Sequence, residues 1–249
     1  MGVNLLATRE EVYNAPVFNW ESACYTPVPN SSIMNLIERN INESSMHIRN
    51  SEFRVSRSAD HAIRGVIGSY NIETEDGSFG QKIMFRNSYD KSMSFAIVQG
   101  LHVWICSNGC ISGDYQYKRV HRGTEDGNTT TTMRDVVNAI GHSFQNLQLS
   151  FNRNKEQLNN MKDIRVKMDL VEHIVGELFL VKEVLTVTQM SIVKKELYDS
   201  RNFKHCNDDN FTAYDLYNHI TEALKFSHPI NYVKDHIVTH KLFEETFNV

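Results

Sequence analysis

The chain has only four prolines, four cysteines and twelve glycines in 249 residues, and each scarcity narrows what it can be. So few helix breakers leave long stretches free to run as regular elements. Cys24, Cys106, Cys110 and Cys206 are too few and too scattered for a disulfide framework, which points to a reducing compartment. No apolar run approaches the roughly 20 residues of a membrane span, so a transmembrane chain is excluded. Met1 to Glu11 carries no basic segment followed by an apolar one, so secretion by the usual signal is not expected and a cytoplasmic location is. Positive charge is also short. Lys plus Arg total 26 against 30 Asp plus Glu, a net charge of −4, which rules out a uniformly cationic nucleic-acid coat and makes any nucleic-acid surface local. The G-x-x-x-x-G-K-[ST] phosphate loop, the strand-linked G-x-G-x-x-G, H-E-x-x-H and G-x-S-x-G are all missing, so no catalytic residue and no cofactor is assigned.

What is present is an ordinary globular balance, 41% hydrophobic, 22% charged and 10% aromatic, sufficient for a sizeable core. The hydrophobic period changes near residue 125, from short alternating runs to long helical ones. The expected class is therefore α+β: an antiparallel sheet with a helix over residues 1–125, then a mostly helical half over 126–249, packed together as one unit. Pro27 and Pro29 hold the chain extended, and Asn30 or Ser31 is placed to cap a helix carrying Ile33, Met34, Leu36, Ile37 and Ile41. Strand character runs through Phe53–Ser56, Ile63–Ile72, Gln81–Phe85 and Ile111–Val120, with Glu75-Asp76-Gly77 as a hairpin turn. Gly123 to Asn128 reads as a mobile polar loop. Met133, Val136, Val137, Ile140, Phe144 and Leu147 then share one helical face, as do Val171, Ile174, Val175, Leu178 and Phe179. Thr212 with Asp215 forms a capping-box start, and Asn231 to Phe247 reads as a final helix.

Two spacings resemble metal sites. His102, Cys106 and Cys110 supply one imidazole and two thiols, short of the four ligands of a structural zinc site. His236, His240 and Glu244 fall at i, i+4 and i+8 on the last helix, but Val233, Ile237, Phe243 and Phe247 share that face, so packing is expected there and no metal is assigned. Glu172, His173 and Glu177 read as a solvated helix face.

The more informative cluster is basic and aromatic. Met46 to Gly123 holds 10 Lys plus Arg against 7 Asp plus Glu, a local +3 that leaves −7 for the rest. Strand alternation puts Tyr115, Tyr117, Arg119 and His121 on one face, with Lys118 and Arg122 on the other, and puts Arg64 with Tyr70. Rings beside guanidinium groups suit unpaired bases and phosphates, although Tyr and Arg also cover exposed sheet faces in general.

Three segments occur in a telling order: Arg86-Asn87-Ser88-Tyr89-Asp90-Lys91-Ser92, then Val103-Trp104-Ile105-Cys106-Ser107-Asn108-Gly109, then Tyr214-Asp215-Leu216-Tyr217-Asn218-His219-Ile220-Thr221-Glu222. Over roughly residues 45 to 225 the chain resembles the phage/plasmid-like family catalogued as domain of unknown function 932. The resemblance implies a mobile-element origin, a tailed bacteriophage above all, and the cytoplasm of an infected bacterium as workplace. It supplies no mechanism that could be carried over residue by residue. Physically, Asn87, Ser88 and Asp90 are turn formers that bond their own backbone, and Ser107-Asn108-Gly109 is a turn. Arg86 and Lys91 beside such turns also suit an anion-binding concavity. Asn218, Thr221 and Glu222 are expected to tie their helix to the sheet.

The function expected is a non-enzymatic phage protein that coats or anneals single-stranded DNA in replication or recombination. Arg64, Arg86, Lys91, Lys118, Arg119 and Arg122 would hold phosphates, while Tyr70, Tyr115 and Tyr117 would stack bases. Its expected partners are single-stranded nucleic acid, further copies of itself, and phage replication or host proteins, with no membrane. One alternative is a protein that blocks a host factor such as a defence enzyme, using the helical half and its His/Phe-rich last helix. Another is a metal-dependent enzyme on nucleotides or nucleic acid, through His236, His240 and Glu244 or through His102 and its cysteines.

Overall fold

The computed structural model describes residues 5–17, 27–75, 77–105, 108–110, 116–119 and 129–249, with the backbone alone for 108–110, 116–119, 129–132 and 229. In chain order the elements are β1 (Leu5–Ala7), α1 (Arg9–Tyr13), α2 (Asn30–Glu43), β2 (Ile48–Arg57), β3 (Ile63–Ile72), β4 (Phe79–Ser88), β5 (Phe95–Val103), β6 (Asn108–Cys110), β7 (Gln116–Arg119), α3 (Thr129–Asp163), α4 (Met168–Gly176), α5 (Val187–Asp199), α6 (Ala213–Leu224) and α7 (Pro229–Phe247). A π-helical turn, Glu177–Val181, extends α4. The fold is α+β: an antiparallel meander β1-β2-β3-β4-β5-β6, with β7 pairing the same edge of the sheet at β5, followed by the helical half.

Period-two alternation divides the sheet into two buried faces. On one, Phe53, Val55, Val66, Tyr70, Ile83, Phe85, Phe95 and Ile97 pack against α2 and the first half of α3, including Ile37, Val136 and Ile140. On the other, Ile67, Met84 and Val98 meet Tyr232, Val233 and Ile237 of α7. A third cluster joins Phe79, Leu101 and Val103, at one end of the sheet, to the helices after residue 150. Strands covered on both sides have no solvent face, and every residue of β4 and β5 is buried, polar ones such as Gln81, Lys82, Arg86, Gln99 and His102 included.

Several local expectations meet their elements. Ile63–Ile72 is β3 to the residue, the Met133–Leu147 stripe lies on α3, and the Thr212–Asp215 capping box is formed, with the Asp215 amide donating to Thr212 Oγ at 3.3 Å and the Thr212 amide to the Asp215 carboxylate at 3.0 Å. The cap of α2 differs. Pro29 is its N-cap and offers no side-chain bond, and the Asn30 amide donates instead to Tyr89 Oη at 2.8 Å. Residues 123–128, with the polar loop expected there, lie outside the described residues. Among the described residues no helix is long and apolar enough to cross a membrane.

Candidate functional site

The three motif segments do different work. In the first, Asn87 is fully buried and reaches across the fold: its Nδ2 donates to Val28 O and to Asn30 Oδ1, both at 2.8 Å. Together with Tyr89 it clamps the start of α2 to β4, so the expectation that Asn87 bonds its own turn is corrected. Ser88 and Asp90 do act locally. Ser88 Oγ donates to Met93 O and accepts from the Met93 amide, and Asp90 accepts from the Ser92 amide at 3.0 Å. Replacing Asn87 by Ala leaves two buried acceptors without their donor and should cost about 2 kcal/mol, read as a lower urea midpoint; a midpoint within error of wild type would remove Asn87 from the clamp.

Arg86 from the same segment points to the opposite face of β4. Although only 8% exposed, it has no carboxylate partner among the described residues; its Nη atoms donate to Ile230 O at 3.0 Å and Ser94 Oγ at 3.3 Å. Burial lowers the pKa of its guanidinium from the usual value. It lines a concavity of about 460 Å3 with Ser92, Asn231 and Lys234.

The second and third motifs meet. Trp104, at the end of β5, and Tyr214, on the first turn of α6, are 110 residues apart in sequence and line one concavity of about 570 Å3 with Phe203, Lys162 and Lys204. The Arg49 guanidinium lies 4.3 Å from the centroid of the Trp104 ring, and the Lys162 ammonium lies 5.1 Å from that of Tyr214. Phe203 stands edge-on to Tyr214 at 5.8 Å. The rest of the third motif pins the wall formed by Phe203 and Lys204. Asp215 Oδ1 accepts from the Lys204 amide at 3.3 Å, and His219 Nε2 lies 2.8 Å from Lys204 O. Burial pushes the His219 pKa down, so the ring is neutral and donates to that carbonyl. Tyr214 therefore presents a ring while Asp215 and His219 fix the loop opposite it.

Other members of the third motif make bonds to near neighbours in the chain. Asn218 Nδ2 donates to Tyr214 O at 2.8 Å, Thr221 Oγ to Asn218 O at 3.2 Å, and Glu222 pairs with Lys225 at 2.6 Å. Just past the end of α6, Lys225 O accepts from the Arg54 guanidinium of β2, which ties that end of the helix to the sheet.

The basic residues expected to hold phosphates are dispersed. Arg64, at the start of β3, donates to Ser58 Oγ at 2.9 Å and pairs with Asp60 at 3.2 Å. Lys91 is exposed in the β4–β5 turn with φ 64°. Tyr117, Lys118 and Arg119 lie on β7, opposite Ile97, Ala96 and Phe95 of β5; Tyr115 and Arg122 lie outside the described residues. Tyr70 is a correction. It is 1% exposed beneath α2, flanked by the Phe53 and Phe85 rings, and its hydroxyl donates to Glu38 at 3.0 Å, so no base can reach it. Burial raises its pKa well above the usual value.

The last helix also differs from the surface that the host-factor alternative requires. His236, Thr239, His240 and Phe243 are buried, so the His/Phe-rich face of α7 is already covered. His240 Nε2 sits 3.1 Å from Gln157 Oε1 and 3.9 Å from Glu244, and the His236 ring lies 4.6 Å from that of Tyr232. Among the described residues no group of three or more His, Cys, Asp or Glu is placed to hold a metal ion. Cys106 lies outside the described residues, and His102 is buried against the Trp104 ring at 4.5 Å.

Sequence reasoning missed Arg49, Lys162, Phe203 and Lys204 as site residues, and took Trp104 and Tyr214 only as markers of resemblance. Trp104 and Tyr214 stood inside quoted motifs and were findable; Lys162 and Phe203 have no local signal. No curated protein and no solved structure matches the chain. A family model does match residues 18–240, nine-tenths of the chain. The chain belongs to the family described as Domain of unknown function (DUF932).

Proposed function

We propose that the protein binds single-stranded nucleic acid without catalysis, DNA in preference, coating or annealing strands during replication or recombination of a mobile element in a bacterial cytoplasm. The observation that carries this reading is the meeting of Trp104 and Tyr214 in one concavity lined by Lys162 and Lys204, with the Arg49 guanidinium against the Trp104 ring. Aromatic faces stack any base, for about 1 to 3 kcal/mol each, and neighbouring cations neutralise phosphates without reading sequence. A volume of about 570 Å3 is in the range of sites that enclose a small organic group. Because both sheet faces are covered by helices, the reading moves the stacking surface from the sheet to its end.

The test is fluorescence anisotropy of labelled single-stranded and double-stranded oligonucleotides across a salt series. Single strands should bind more tightly than duplex, with log affinity falling linearly in log salt. Trp104→Ala should weaken binding about 10-fold or more at an unchanged salt slope, whereas Lys162→Ala should flatten the slope by about one counterion. Absence of single-strand binding at low salt, or a Trp104→Ala protein that binds as wild type does, defeats the proposal.

A further inference from the structure

A second, smaller cavity lies on the α7 side of the sheet. It has a volume of about 90 Å3, room for a few waters or one phosphate-sized ion, and its polar wall is made by Glu52, Arg54, Ser69, Lys82, Lys225 and Tyr232. Lys82, in the middle of β4, is 7% exposed. Among the described residues its ammonium has no hydrogen-bond partner, and neither have the Ser69 and Tyr232 hydroxyls. Three donors without protein acceptors thus line one cavity.

The charge around it is unbalanced. Arg54 is paired with Glu52 at 2.5 Å and also donates to Lys225 O, and Lys225 is paired with Glu222 at 2.6 Å. Among the described residues three cations, Arg54, Lys82 and Lys225, therefore stand with two carboxylates, Glu52 and Glu222, and Lys82 is the cation with no ion pair at 4 Å or less. Nearby imidazoles add no compensation. His102 and His236 are held neutral, with pKa values pushed down to about 3 by burial first and by Lys82 and its neighbouring cations second. Burial lowers the Lys82 pKa to about 8, which still leaves it mostly charged at neutral pH. An isolated buried ammonium is costly unless an anion accompanies it.

We propose that this cavity is a binding site for a phosphate group, held by Lys82, Arg54 and Lys225 with the Ser69 and Tyr232 hydroxyls. Such a group carries the missing negative charge and has several acceptor oxygens for the three open donors. It has two sources, a free or monoester phosphate and a phosphate of a nucleic-acid backbone. The site stands apart from the aromatic concavity and does not depend on single-strand binding.

Isothermal titration of the full chain with inorganic phosphate, in chloride buffer of matched ionic strength, tests it. Saturable binding of one phosphate per chain is expected. Lys82→Met should weaken that binding at least about 30-fold while leaving the phosphate-free protein as stable as wild type or more so, because it removes an uncompensated buried charge. Ser69→Ala should weaken binding less and provides a second variant if Lys82→Met does not fold. Wild-type protein with no phosphate heat, or Ser69→Ala and Lys82→Met proteins that bind phosphate normally, overturns the proposal. Competition then assigns the source. Displacement of phosphate by an oligonucleotide identifies the group as part of a nucleic-acid chain, and simultaneous binding identifies it as a separate anion. A protein that binds phosphate but no oligonucleotide would refute the function proposed above and support the anion site.

Discussion

Lowering the pH from 7 to 4.5 is expected to cost the protein about 3 kcal/mol of stability. Most of that loss comes from two histidines that the sequence marks as metal candidates and the structure buries. His102 and His236 are 3% and 1% exposed, and burial holds both pKa values near 3 in the folded chain against about 6.5 in an unfolded one. Between those values the unfolded chain binds protons that the folded chain refuses, so stability is complete above pH 6.5 and falls as pH drops toward 3. Each histidine contributes about 1.4 kcal/mol per pH unit over that window. The groups near His236 are Lys82, Arg54, His240 and Lys225, and those near His102 are Lys82, Lys225 and Arg49. All are positive or become so, and every one opposes protonation.

Asp235 works the other way. Burial raises its pKa to about 6 from 3.8, so it favours the folded state as pH falls through that interval and offsets about one of the two histidines there. The carboxyls of Glu11 and Asp60, held low by hydrogen bonds from Thr8 and Ser58, join the loss nearer pH 4. Urea midpoints taken from pH 7 to 4.5 should therefore begin to fall near pH 6.5, before ordinary carboxylates titrate. His236→Phe should remove about one proton from that slope with little cost at pH 7, since both ring nitrogens of His236 are buried without a hydrogen-bond partner among the described residues. A flat profile, or a His236→Phe protein with the wild-type slope, would show that these rings are not held neutral.

The same histidines show what the sequence could and could not say. The face of the last helix, with Val233, His236, Ile237, His240 and Phe243, is legible as a packed stripe by its spacing alone, and it packs. What spacing cannot supply is the identity of the opposite wall: that Lys82 of β4 faces this helix follows from strand register and helix docking, neither of which is local. Tyr70 failed for a related reason. A strand covered on one face alternates, and the Arg64–Tyr70 pairing was read on that assumption, whereas β3 is covered on both faces and Tyr70 turns inward to Glu38. β5 has no period-two signal to read, because Phe95 to Val98 are apolar at four successive positions. The aromatic concavity needs the end of β5, the end of α3, the loop before α6 and α6 itself to converge, and only its Trp104 and Tyr214 were conspicuous in sequence.

Two glycines on neighbouring strands separate fold from function. A methyl group added at Gly68 of β3 would stand 2.3 Å from Phe85 Cε1 and 3.0 Å from a Phe53 ring carbon. Both rings are buried in the core beneath α2, with nowhere to move, so Gly68→Ala should cost about 3 kcal/mol, the upper end for overpacking. Nothing in that clash reaches Trp104, and the molecules that remain folded should bind single strands as wild type does. A methyl group at Gly80 of β4 would instead stand 2.4 Å from Trp104 Cζ2 and 2.8 Å from the Ile72 carbonyl oxygen. The β3 backbone cannot yield, but Trp104 is only half-buried and its ring can swing away. Gly80→Ala is thus expected to combine a loss of about 2 kcal/mol with the affinity loss of Trp104→Ala, about 10-fold or more. Combined with Trp104→Ala, it should weaken binding no further, because the ring it displaces is already gone. Urea midpoints and oligonucleotide affinities of the three single variants and this double variant check the argument; Gly80→Ala binding at wild-type strength would mean that the ring's place over Gly80 does not matter to the strand.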